Sequence, residues 1–511
     1  PPNGLWIFCN NDYQVTIPTA DQVVPLGTTL VKAQVLCPAM TVTIGTPQLR
    51  RCFNNNYYYV NYCNQGTAAA SNAYVLVELD DFLSAVSATI PYTTVGTHTL
   101  RFDLGDVPVG ACGSFSIEVG VNCNAALGQT HCTEAHIYPD SLCTQPSALW
   151  SGALLDLHAH CAGDSLHFVI KNIGAANLSE SLDYIVIEDH VMLMMANIGF
   201  LASGDSVTVS VPANGSTWRV ESQQAAYAPM LHQLGLSVEG CINGGSFSSG
   251  YVNQYQNGSD DPWVDTDCTT NTGSYDPNDK QGIPLGYGPQ HFIRPGTEIE
   301  YMIRFQNTGT DTAFNIVVLD TLSAALDPRT IQVGPSSHPY RWDVFGPGVL
   351  RFKFENIQLP DSNKNEAASH GFVKFSIKPK ADAPLGTVIR NTGAIYFDFN
   401  APVITNTTDH ILAENFIVTA SWQPISPLLQ LSIAPNPFDV ETRFEIKGLT
   451  NPAPLELRVY DLQGRVMRTM YVEGPVFTLK KQDLKAGTYL FRLGQEGKMV
   501  GSGKLVVAAK P

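Results

Sequence analysis

The chain has 511 residues, which is enough for three or four domains. Charged residues make up only 15% of it, and 42 Gly with 33 Pro residues favour turns over long helices, which argues against coiled coils and helical repeat arrays. The 30 basic residues face 46 acidic ones, and the net charge of -16 opposes binding to nucleic acid.

The chain begins with Pro1-Pro2-Asn3, without a start Met or a charged and apolar signal, so we expect mature or trimmed material. No uncharged apolar stretch of about 18 residues follows, so no transmembrane segment is predicted. The hydrophobic content of 44% predicts a globular chain rather than a disordered one.

All 11 cysteines lie between Cys9 and Cys268. No Cys-x-x-Cys pair occurs, so the pattern favours disulfides formed in an oxidising compartment over a zinc ribbon or a thioredoxin-type site. The odd count leaves one thiol unpaired or one partner missing.

Two disulfides are predicted from chain position. Cys161 and Cys241 are the only cysteines inside the second predicted domain, so we expect them to pair. Cys123 and Cys132 are close in sequence and predict a hairpin-type pair.

A repeated phrase organises the larger part of the chain. Asn64-Gln65-Gly66-Thr67 recurs, with the same spacing to a following Ala and Asn, as Asn307-Thr308-Gly309-Thr310, and a weaker copy reads Asn172-Ile173-Gly174. Each copy stands between two β-rich segments, and Asn-x-Gly predicts a hairpin turn because Gly tolerates a positive φ. Three copies predict three related β domains.

Short alternating segments between turns predict an all-β fold of tandem immunoglobulin-like β-sandwich domains followed by a small C-terminal β-sandwich. Examples in the third domain are 297–306, 349–354, 371–377 and 387–395. Residues 256–280 are rich in Asn, Gly, Asp and Ser and predict a linker or a long ordered loop. The predicted units are a disulfide-bearing domain at 1–145, a second domain with the Asp-rich linker at 146–272, a third domain at 273–416, a linker at 417–427 and the small sandwich at 428–511.

Five motifs mark the third domain: Asp276-Pro277-Asn278-Asp279-Lys280, the stretch 305–313 (FQNTGTDTA), and the segments 359–362, 369–372 and 395–400. Together they resemble a conserved surface-protein domain of unknown function from secreted proteins of the phylum Bacteroidota. The resemblance covers residues 276–415, and residues 1–275 fit the same type of protein more loosely.

The tail differs in charge from the rest, since residues 425–511 hold 12 Lys and Arg against 8 Asp and Glu. It contains Pro435-Asn436-Pro437-Phe438 and the segments 459–465 (VYDLQGR), 484–489 (LKAGTY) and 504–507 (KLVV). These motifs resemble the type A C-terminal sorting domain of the type IX secretion system. The resemblance implies recognition at the outer membrane, transport of the folded chain, and cleavage of the tail, so a chain that retains it is expected to be unprocessed. The residues that carry this resemblance are Pro435, Asn436, Pro437, Phe438, Asp461, Gly464, Arg465, Gly487 and Tyr489.

Enzyme signatures are absent from the sequence: it has no Gly-x-Ser-x-Gly, His-Glu-x-x-His, phosphate loop or dinucleotide fingerprint, which favours a noncatalytic protein without assigned catalytic residues. Asp156, His158 and His160 would share one strand face and could hold a metal ion. A solvated outer face explains them equally well.

An aspartate-rich run is the stronger metal candidate, because Ca²⁺ takes six to eight oxygen ligands from flexible segments. A bound Ca²⁺ ion would stiffen the junction between the second and third domains. The alternative is a solvated acidic linker, since the spacing does not match an EF-hand. The carboxylates are Asp260, Asp261, Asp265, Asp267, Asp276 and Asp279.

Aromatic residues could line a sugar-binding face, although on strands we expect core or cross-strand packing. They are Tyr57, Tyr58, Tyr59, Tyr62, Trp218, Tyr251, Tyr255 and Trp263. A second surface feature, Asp followed by Ser or Thr and an apolar residue, resembles the O-glycosylation signal of the same phylum. It occurs at Ser141, Ser165, Ser206, Thr312 and Thr321.

These features predict a secreted, noncatalytic protein of the outer cell surface that reaches it through the periplasm. Its function would be adhesion, stalk-like display or extracellular assembly. Its partners would be the type IX secretion machinery and either further copies of itself or a surface glycan or protein. The alternative is an accessory or glycan-binding region of a larger extracellular hydrolase. A filament subunit would in addition need exposed strand edges.

Overall fold

The computed structural model of the chain describes residues 5–8, 31–140, 143, 146–178, 180–229, 234–242, 247–255, 261–272, 278–346, 348–414, 416–419, 430–436, 438–447, 454–460, 466–482, 484–495 and 498–508. Within these ranges the chain is almost all β, with only two single-turn 3-10 helices, Val252–Gln254 and Ala367–Ser369. No helix among them is long and apolar enough to cross a membrane. The predicted all-β class is confirmed.

The first sandwich is preceded by a two-stranded sheet of β1 (Trp6–Phe8) and β2 (Val31–Ala33). Its own strands are β3 (Met40–Gly45), β4 (Leu49–Arg50), β5 (Asn56–Asn64), β6 (Ala70–Glu78), β7 (Leu83–Ala88), β8 (Thr93–Thr94), β9 (Thr99–Val107), β10 (Cys112–Val121), β11 (Thr130–Tyr138) and, far later in the chain, β19 (Val264–Thr272). A four-stranded sheet in the order β3-β5-β10-β7 faces a six-stranded sheet in the order β4-β19-β11-β6-β9-β8. Alternating apolar side chains such as Val75 and Val77 fill the space between them.

The second sandwich has a smaller core, which includes Phe168, Ile170 and Trp218. Its strands are β12 (Leu155–Ala162), β13 (Ser165–Asn172), β14 (Leu182–Glu188), β15 (Val191–Ile198), β16 (Ser206–Pro212), β17 (Trp218–Ser222) and β18 (Leu234–Val238). One sheet has the order β12-β13-β16, and the other contains β18-β17-β14-β15.

The third sandwich has the richest aromatic core, with Tyr301, Phe305, Phe352 and Phe375 all buried. Its strands are β20 (Lys280–Ile283), β21 (Phe292–Ile293), β22 (Ile299–Gln306), β23 (Ile316–Thr321), β24 (Leu326–Ser336), β25 (Arg341–Phe345), β26 (Val349–Phe354), β27 (His370–Pro379), β28 (Val388–Phe397) and β29 (Val403–Leu412). Its sheets have the orders β20-β22-β27-β24 and β21-β29-β28-β23-β26-β25.

The C-terminal region forms a compact unit of its own, Val418–Pro511, separate from the unit Pro1–Ile417. A short strand β30 (Val418–Thr419) precedes the seven strands of the small sandwich. These are β31 (Gln430–Ala434), β32 (Glu441–Lys447), β33 (Leu455–Tyr460), β34 (Val466–Val472), β35 (Val476–Lys480), β36 (Gly487–Gln495) and β37 (Lys498–Val507). Its sheets have the orders β31-β32-β35 and β34-β33-β36-β37 around a core that includes Phe444 and Phe491.

Strand β19 changes the predicted domain boundaries. It pairs antiparallel with β11, so that Cys132 lies opposite Cys268, and it completes the six-stranded sheet of the first sandwich. The second sandwich is therefore inserted between the last two strands of the first. The predicted domain limits of 146–272 and the predicted linker at 256–280 are wrong in this respect, because residues 264–272 are a paired strand.

Ten cysteines form five disulfides, and the eleventh, Cys9, lies outside the described residues. The pair Cys161–Cys241 is the one that the sequence predicts. The predicted Cys123–Cys132 pair is wrong, because the pairing of β11 with β19 places Cys132 opposite Cys268, and Cys123 bonds to Cys52. The other four bonds are Cys37–Cys143, Cys52–Cys123, Cys63–Cys112 and Cys132–Cys268, all in the first sandwich.

The first and third sandwiches share one topology. Each combines a four-stranded with a six-stranded sheet, and in each the edge strand of the larger sheet, β4 or β21, runs parallel to the last strand, β19 or β29. Counted from the Asn of the repeated phrase, Tyr58 takes the position of Tyr301, and both side chains are fully buried. The predicted relationship between these domains therefore extends to individual core positions.

The prediction that the Asn-x-Gly phrase forms a hairpin is wrong. In each sandwich the phrase connects a strand of one sheet to a strand of the other. In the third copy, the Asn307 Oδ1 accepts the amide of Gly309 at 3.1 Å, while its Nδ2 donates to the carbonyls of Asp311 (2.8 Å) and Leu359 (3.0 Å). The other two copies repeat these bonds. Asn64 accepts the amide of Gly66 and donates to the carbonyls of Ala68 and Val107. Asn172 accepts the amide of Gly174 and donates to the carbonyls of Ala176 and Leu201.

Glycine is required in two copies by space rather than by a positive φ. A Cβ on Gly66 would collide with the backbone of Cys37 and Ala39, and one on Gly174 would collide with the backbone of Gly152 and Leu154. The backbone turns so tightly against the neighbouring chain that no side chain fits.

Replacing Asn307 with Ala should destabilise the third sandwich by about 2–4 kcal/mol, because the buried carbonyl of Leu359, the partly buried carbonyl of Asp311 and the amide of Gly309 would all lose their partner. The exposed Asn363 provides the control, since Asn363→Ala should change the free energy of unfolding by less than about 0.5 kcal/mol. Chemical denaturation of both variants checks the prediction. Equal stabilities of the two variants would contradict it.

Candidate functional site: the junction of the first and third sandwiches

A buried charged cluster joins the first sandwich to the third. The Lys374 Nζ donates to Asp267 Oδ1 at 2.5 Å and to Glu300 Oε1 at 2.9 Å. The side chains of Lys374 and Asp267 are only 2% and 1% exposed. Asp267 belongs to β19 of the first sandwich, whereas Lys374 and Glu300 belong to β27 and β22 of the third. We call Lys374, Asp267, Glu300 and the neighbouring Asp265 the junction cluster.

Strand alternation aims these side chains at the junction. On β27, Val373 and Phe375 enter the core of the third sandwich, so Lys374 between them points out of its four-stranded sheet. The aliphatic part of Lys374 packs on Gly45 of β3, where a Cβ would stand only 2.8 Å from its Cε. A glycine at this position thus admits the lysine stem between the two sandwiches.

The charges in the cluster shift one another's pKa values. Burial acts to lower the pKa of Lys374, but Asp267 and Glu300 outweigh it and hold that pKa well above its usual range. Burial raises the pKa of Glu300, against the pull of Lys374. Burial and the charge of Glu300 raise the pKa of Asp265 to about 7. The single ammonium thus remains charged, and protonation of Asp265 relieves the excess of carboxylates.

Asp265 also fastens the edge of the first sandwich, since its Oδ2 accepts the amide of Ile44 on β3 at 2.6 Å. A second contact between the sandwiches lies beside it. Arg304 pairs through two nitrogens with Asp279 and donates from a third to the carbonyl of Pro47 at 2.7 Å. Asn61 adds a bond to the carbonyl of Gly334 at 3.2 Å. The junction therefore combines ion pairs with hydrogen bonds to the backbone of both sandwiches.

A cleft of about 530 Å3, including its open mouth, continues the junction to the surface. Tyr59 and Phe372 meet edge to face across it with ring centroids 5.2 Å apart. Its rim carries Arg50 and Glu366, whose charged groups are 3.9 Å apart. Since the rim is solvated and the base is aromatic, the cleft is the outer end of the interface.

The predicted calcium ligands are dispersed by this arrangement. Asp265 and Asp267 belong to strand β19, and Asp279 pairs with Arg304, while Asp261 is buried. No group of three or more His, Cys, Asp or Glu side chains within the described ranges is placed to hold a metal ion. Asp260 and Asp276 lie outside those ranges. Calcium binding stays a prediction, and Lys374 supplies the countercharge that the sequence assigned to a metal.

The other predicted surface features are spread over all three large sandwiches. Asp156 and His158 pair at 2.7 Å on β12, where His160 is also exposed. Of the predicted aromatic face, Tyr58, Trp218, Tyr255 and Trp263 are buried, whereas Tyr57, Tyr59, Tyr62 and Tyr251 are half-buried. Of the glycosylation candidates, Ser206 and Thr321 are exposed, Ser165 and Thr312 are half-buried, and Ser141 lies outside the described residues.

In the small sandwich, three described residues of the predicted sorting motif hydrogen-bond to neighbouring strands. Asn436 accepts the amide of Val506 at 2.8 Å, and the buried Phe438 donates its amide to the carbonyl of Val506 at 2.9 Å. Pro435 accepts a bond from Thr442 at 2.6 Å. The remaining positions are Gly487 at the start of β36 and the buried Tyr489, while Pro437, Asp461, Gly464 and Arg465 lie outside the described residues.

Sequence reasoning missed Lys374, Glu300 and Arg304. A charged residue in the middle of an alternating apolar strand, as in Phe372-Val373-Lys374-Phe375, indicates an outward-facing position. It does not indicate that another sandwich covers this position, because the partner Asp267 stands 107 residues earlier in the chain.

Residues 276–411 match a family of domains of unknown function, DUF7619, which confirms that such a domain occupies the third sandwich. No curated protein matches the chain.

Three solved structures illustrate the likeness in fold. BcpA, the major pilin subunit of Bacillus cereus, is 13% identical over 64% of this chain and 90% of its own, with a TM-score of 0.21. ACE19, the collagen binding subdomain of the Enterococcus faecalis surface protein ACE, is 10% identical over 27% and 99%, with a TM-score of 0.19. The Corynebacterium diphtheriae major pilin SpaA, described with stabilizing isopeptide bonds, is 10% identical over 65% and 90%, with a TM-score of 0.21. Scores this low carry no functional argument.

Replacing Lys374 with Met should lower the free energy of unfolding by about 3–5 kcal/mol, because Asp267 would remain buried without a countercharge. The control is Lys378→Met on the same strand, since Lys378 is 41% exposed and its Nζ lies 3.5 Å from Glu298. That variant should lose less than about 1 kcal/mol. Equal losses from both substitutions would refute a stabilising role for the cluster.

Asp267→Asn separates the ion-pair account from the calcium account. If Lys374 is the partner of Asp267, the variant should have a lower unfolding temperature by the same amount in calcium and in chelator. A loss that appears only in calcium would identify a metal ligand instead.

Asp265→Asn should alter the pH dependence of stability. Because the pKa of Asp265 is raised from 3.8 to about 7 on folding, its favourable contribution is present below about pH 4 and is lost as the pH rises toward 7. As the pH rises from about 5 to about 8, the free energy of unfolding of the variant should therefore increase by about 1–3 kcal/mol relative to that of the unaltered chain. Denaturant titrations at both pH values check this, and parallel pH curves for the two proteins would exclude it.

Proposed function

We propose that this protein is a noncatalytic protein of the cell surface, exported by the type IX secretion system, that functions in adhesion, stalk-like display or extracellular assembly. The observation that carries the proposal is the set of five disulfides, four of them in the first sandwich. Such density is typical of proteins that fold and remain in an oxidising compartment.

The joined sandwiches support a mechanical rather than a chemical role. The first sandwich contacts the third through the junction cluster, and the second contacts the third through Arg294 and Glu221, 3.1 Å apart. Ile187 and Tyr287 add an apolar contact between the same two sandwiches. Residues Pro1–Ile417 form one compact unit, so the second sandwich is held against its neighbours rather than strung between them as in the predicted series. A block fixed in this way suits display of a binding surface or transmission of force.

The C-terminal unit supports export as its own function. It is compact and separate, and its charge is opposite in sign to that of the remaining chain. Asn436 and Phe438 hydrogen-bond to Val506 of β37, and Pro435 accepts a bond from Thr442 of β32, so these three residues of the motif that resembles a sorting signal also support the fold of the unit.

Removal of residues 421–511 should retain the protein inside the cell, because the secretion machinery would have no tail to recognise. Surface labelling and fractionation of the native host measure the outcome. A matched control restores residues 421–511 through a short linker and should restore export. The truncated chain must also form its five disulfides, so that misfolding is distinguished from lost recognition. Arrival of the truncated chain at the surface would overturn the proposed export route.

A further inference from the structure

A second buried lysine lies inside the third sandwich, away from the junction. The Lys280 Nζ contacts the Asp320 Oδ2, and both side chains are 0% exposed. Lys280 is on β20, in the four-stranded sheet, and Asp320 is on β23, in the six-stranded sheet. The contact therefore crosses the core from one sheet to the other.

The surroundings of this pair are mainly aromatic. The Lys280 Nζ lies 4.4 Å from the ring centre of Tyr301 and 5.4 Å from that of Phe375. The amide of Asn391, 1% exposed, lies beside the carboxyl of Asp320, but neither its nitrogen nor its oxygen makes a hydrogen bond of good geometry. The second carboxyl oxygen of Asp320 is also without one. Burying these polar atoms costs folding free energy, and an ion pair alone does not offset that cost.

The environment of Lys280 differs from that of Lys374 in one decisive way. Lys374 faces two carboxylates, and its pKa is raised, so it stays an ammonium. Burial lowers the pKa of Lys280 despite Asp320, and burial raises the pKa of Asp320. Both shifts favour a neutral amine next to a neutral carboxylic acid, which are the two forms that react with each other.

The first sandwich shows what an ordinary core places at these positions. Ile44 is equivalent to Lys280, because each pairs with the residue four positions before the Asn of its phrase, Asn64 or Asn307. Val77 is equivalent to Asp320, because each follows that Asn by the same number of residues. Ile44 and Val77 are both buried apolar residues. The first sandwich also has four disulfides, whereas no cysteine follows Cys268. The third sandwich thus has Lys280 and Asp320 where the first sandwich has an apolar pair, and it has no disulfide.

We propose that Lys280 and Asp320 are joined by an amide bond that forms within the folded third sandwich. The ammonium transfers one proton to the carboxylate, and the resulting amine attacks Cγ of Asp320. The C–N bond forms as the C–OH bond breaks, and the hydroxyl leaves as water with a second proton from the nitrogen. No metal, oxidant or further reactant is consumed, and the Asn391 amide lies beside the reacting carbon as a positioning group.

The cross-link would tie the first strand of the third sandwich to the opposite sheet. Strand β20 is a short edge strand of four residues, held by one neighbour, β22. Force on the chain that enters at Lys280 would otherwise peel it away. The amide bond passes that force directly to β23 in the middle of the larger sheet.

The intact mass of the full chain, reduced and denatured, tests the proposal. We expect a mass one water lower than the sequence requires. Trypsin should fail to cleave after Lys280, and the peptide that contains it should be linked to the peptide of residues 305–329, which contains Asp320. Lys280→Met should restore the full mass, and the exposed control Lys378→Met should keep the deficit.

A double variant, Lys280→Ile with Asp320→Val, copies the first sandwich's own pair and should fold. If the bond exists, the double variant should have a lower unfolding temperature than the unaltered chain. If Lys280 and Asp320 form only an ion pair, their replacement by apolar residues should leave the unfolding temperature equal or higher. A mass that equals the sequence would overturn the proposal. A deficit of one ammonia would overturn the assignment of Asp320 as acceptor and place the bond on Asn391.

Discussion

The ammonium of Lys374 is the constraint on which the arrangement of the first three sandwiches depends. A buried ammonium needs opposite charge at hydrogen-bond distance, and Asp267 and Glu300 provide it from two different sandwiches. Asp267 can do so only if β19 returns to the first sandwich after the whole second sandwich has been formed. The contact between the first and third sandwiches therefore depends on the insertion of the second sandwich before β19.

The two buried lysines show how environment decides the chemistry of one side chain. Lys374 stands among carboxylates at an interface, where its charge is retained and holds two folded units together. Lys280 stands among aromatic rings with one carboxyl, where neutral forms are favoured. Both lie in a duplicated architecture whose other copy has no lysine at the equivalent core position, since Ile44 replaces Lys280 there. The first sandwich is cross-linked by four disulfides, whereas the third contains no cysteine.

Local pattern predicted much of the fold and little of the site. The segment 349–354 is a strand at those bounds because its apolar residues alternate, and the internal repeat was visible because Asn and Gly recur with fixed spacing. The hairpin interpretation failed because the bonds of Asn307 reach Leu359, which no local pattern connects to it. Strand β19 was mistaken for a linker because its Asp residues suggest solvent, whereas Lys374 and Ile44 hold two of them in the interface.

The central claim is that buried charge makes the first and third sandwiches one cooperative unit. Native-state hydrogen exchange in increasing denaturant measures this directly, because it gives the free energy of opening for each protected amide. The account predicts that amides of β5 in the first sandwich and of β22 and β27 in the third open with one common free energy and one denaturant dependence. Separate opening of the third sandwich, with the first still fully protected, would contradict it.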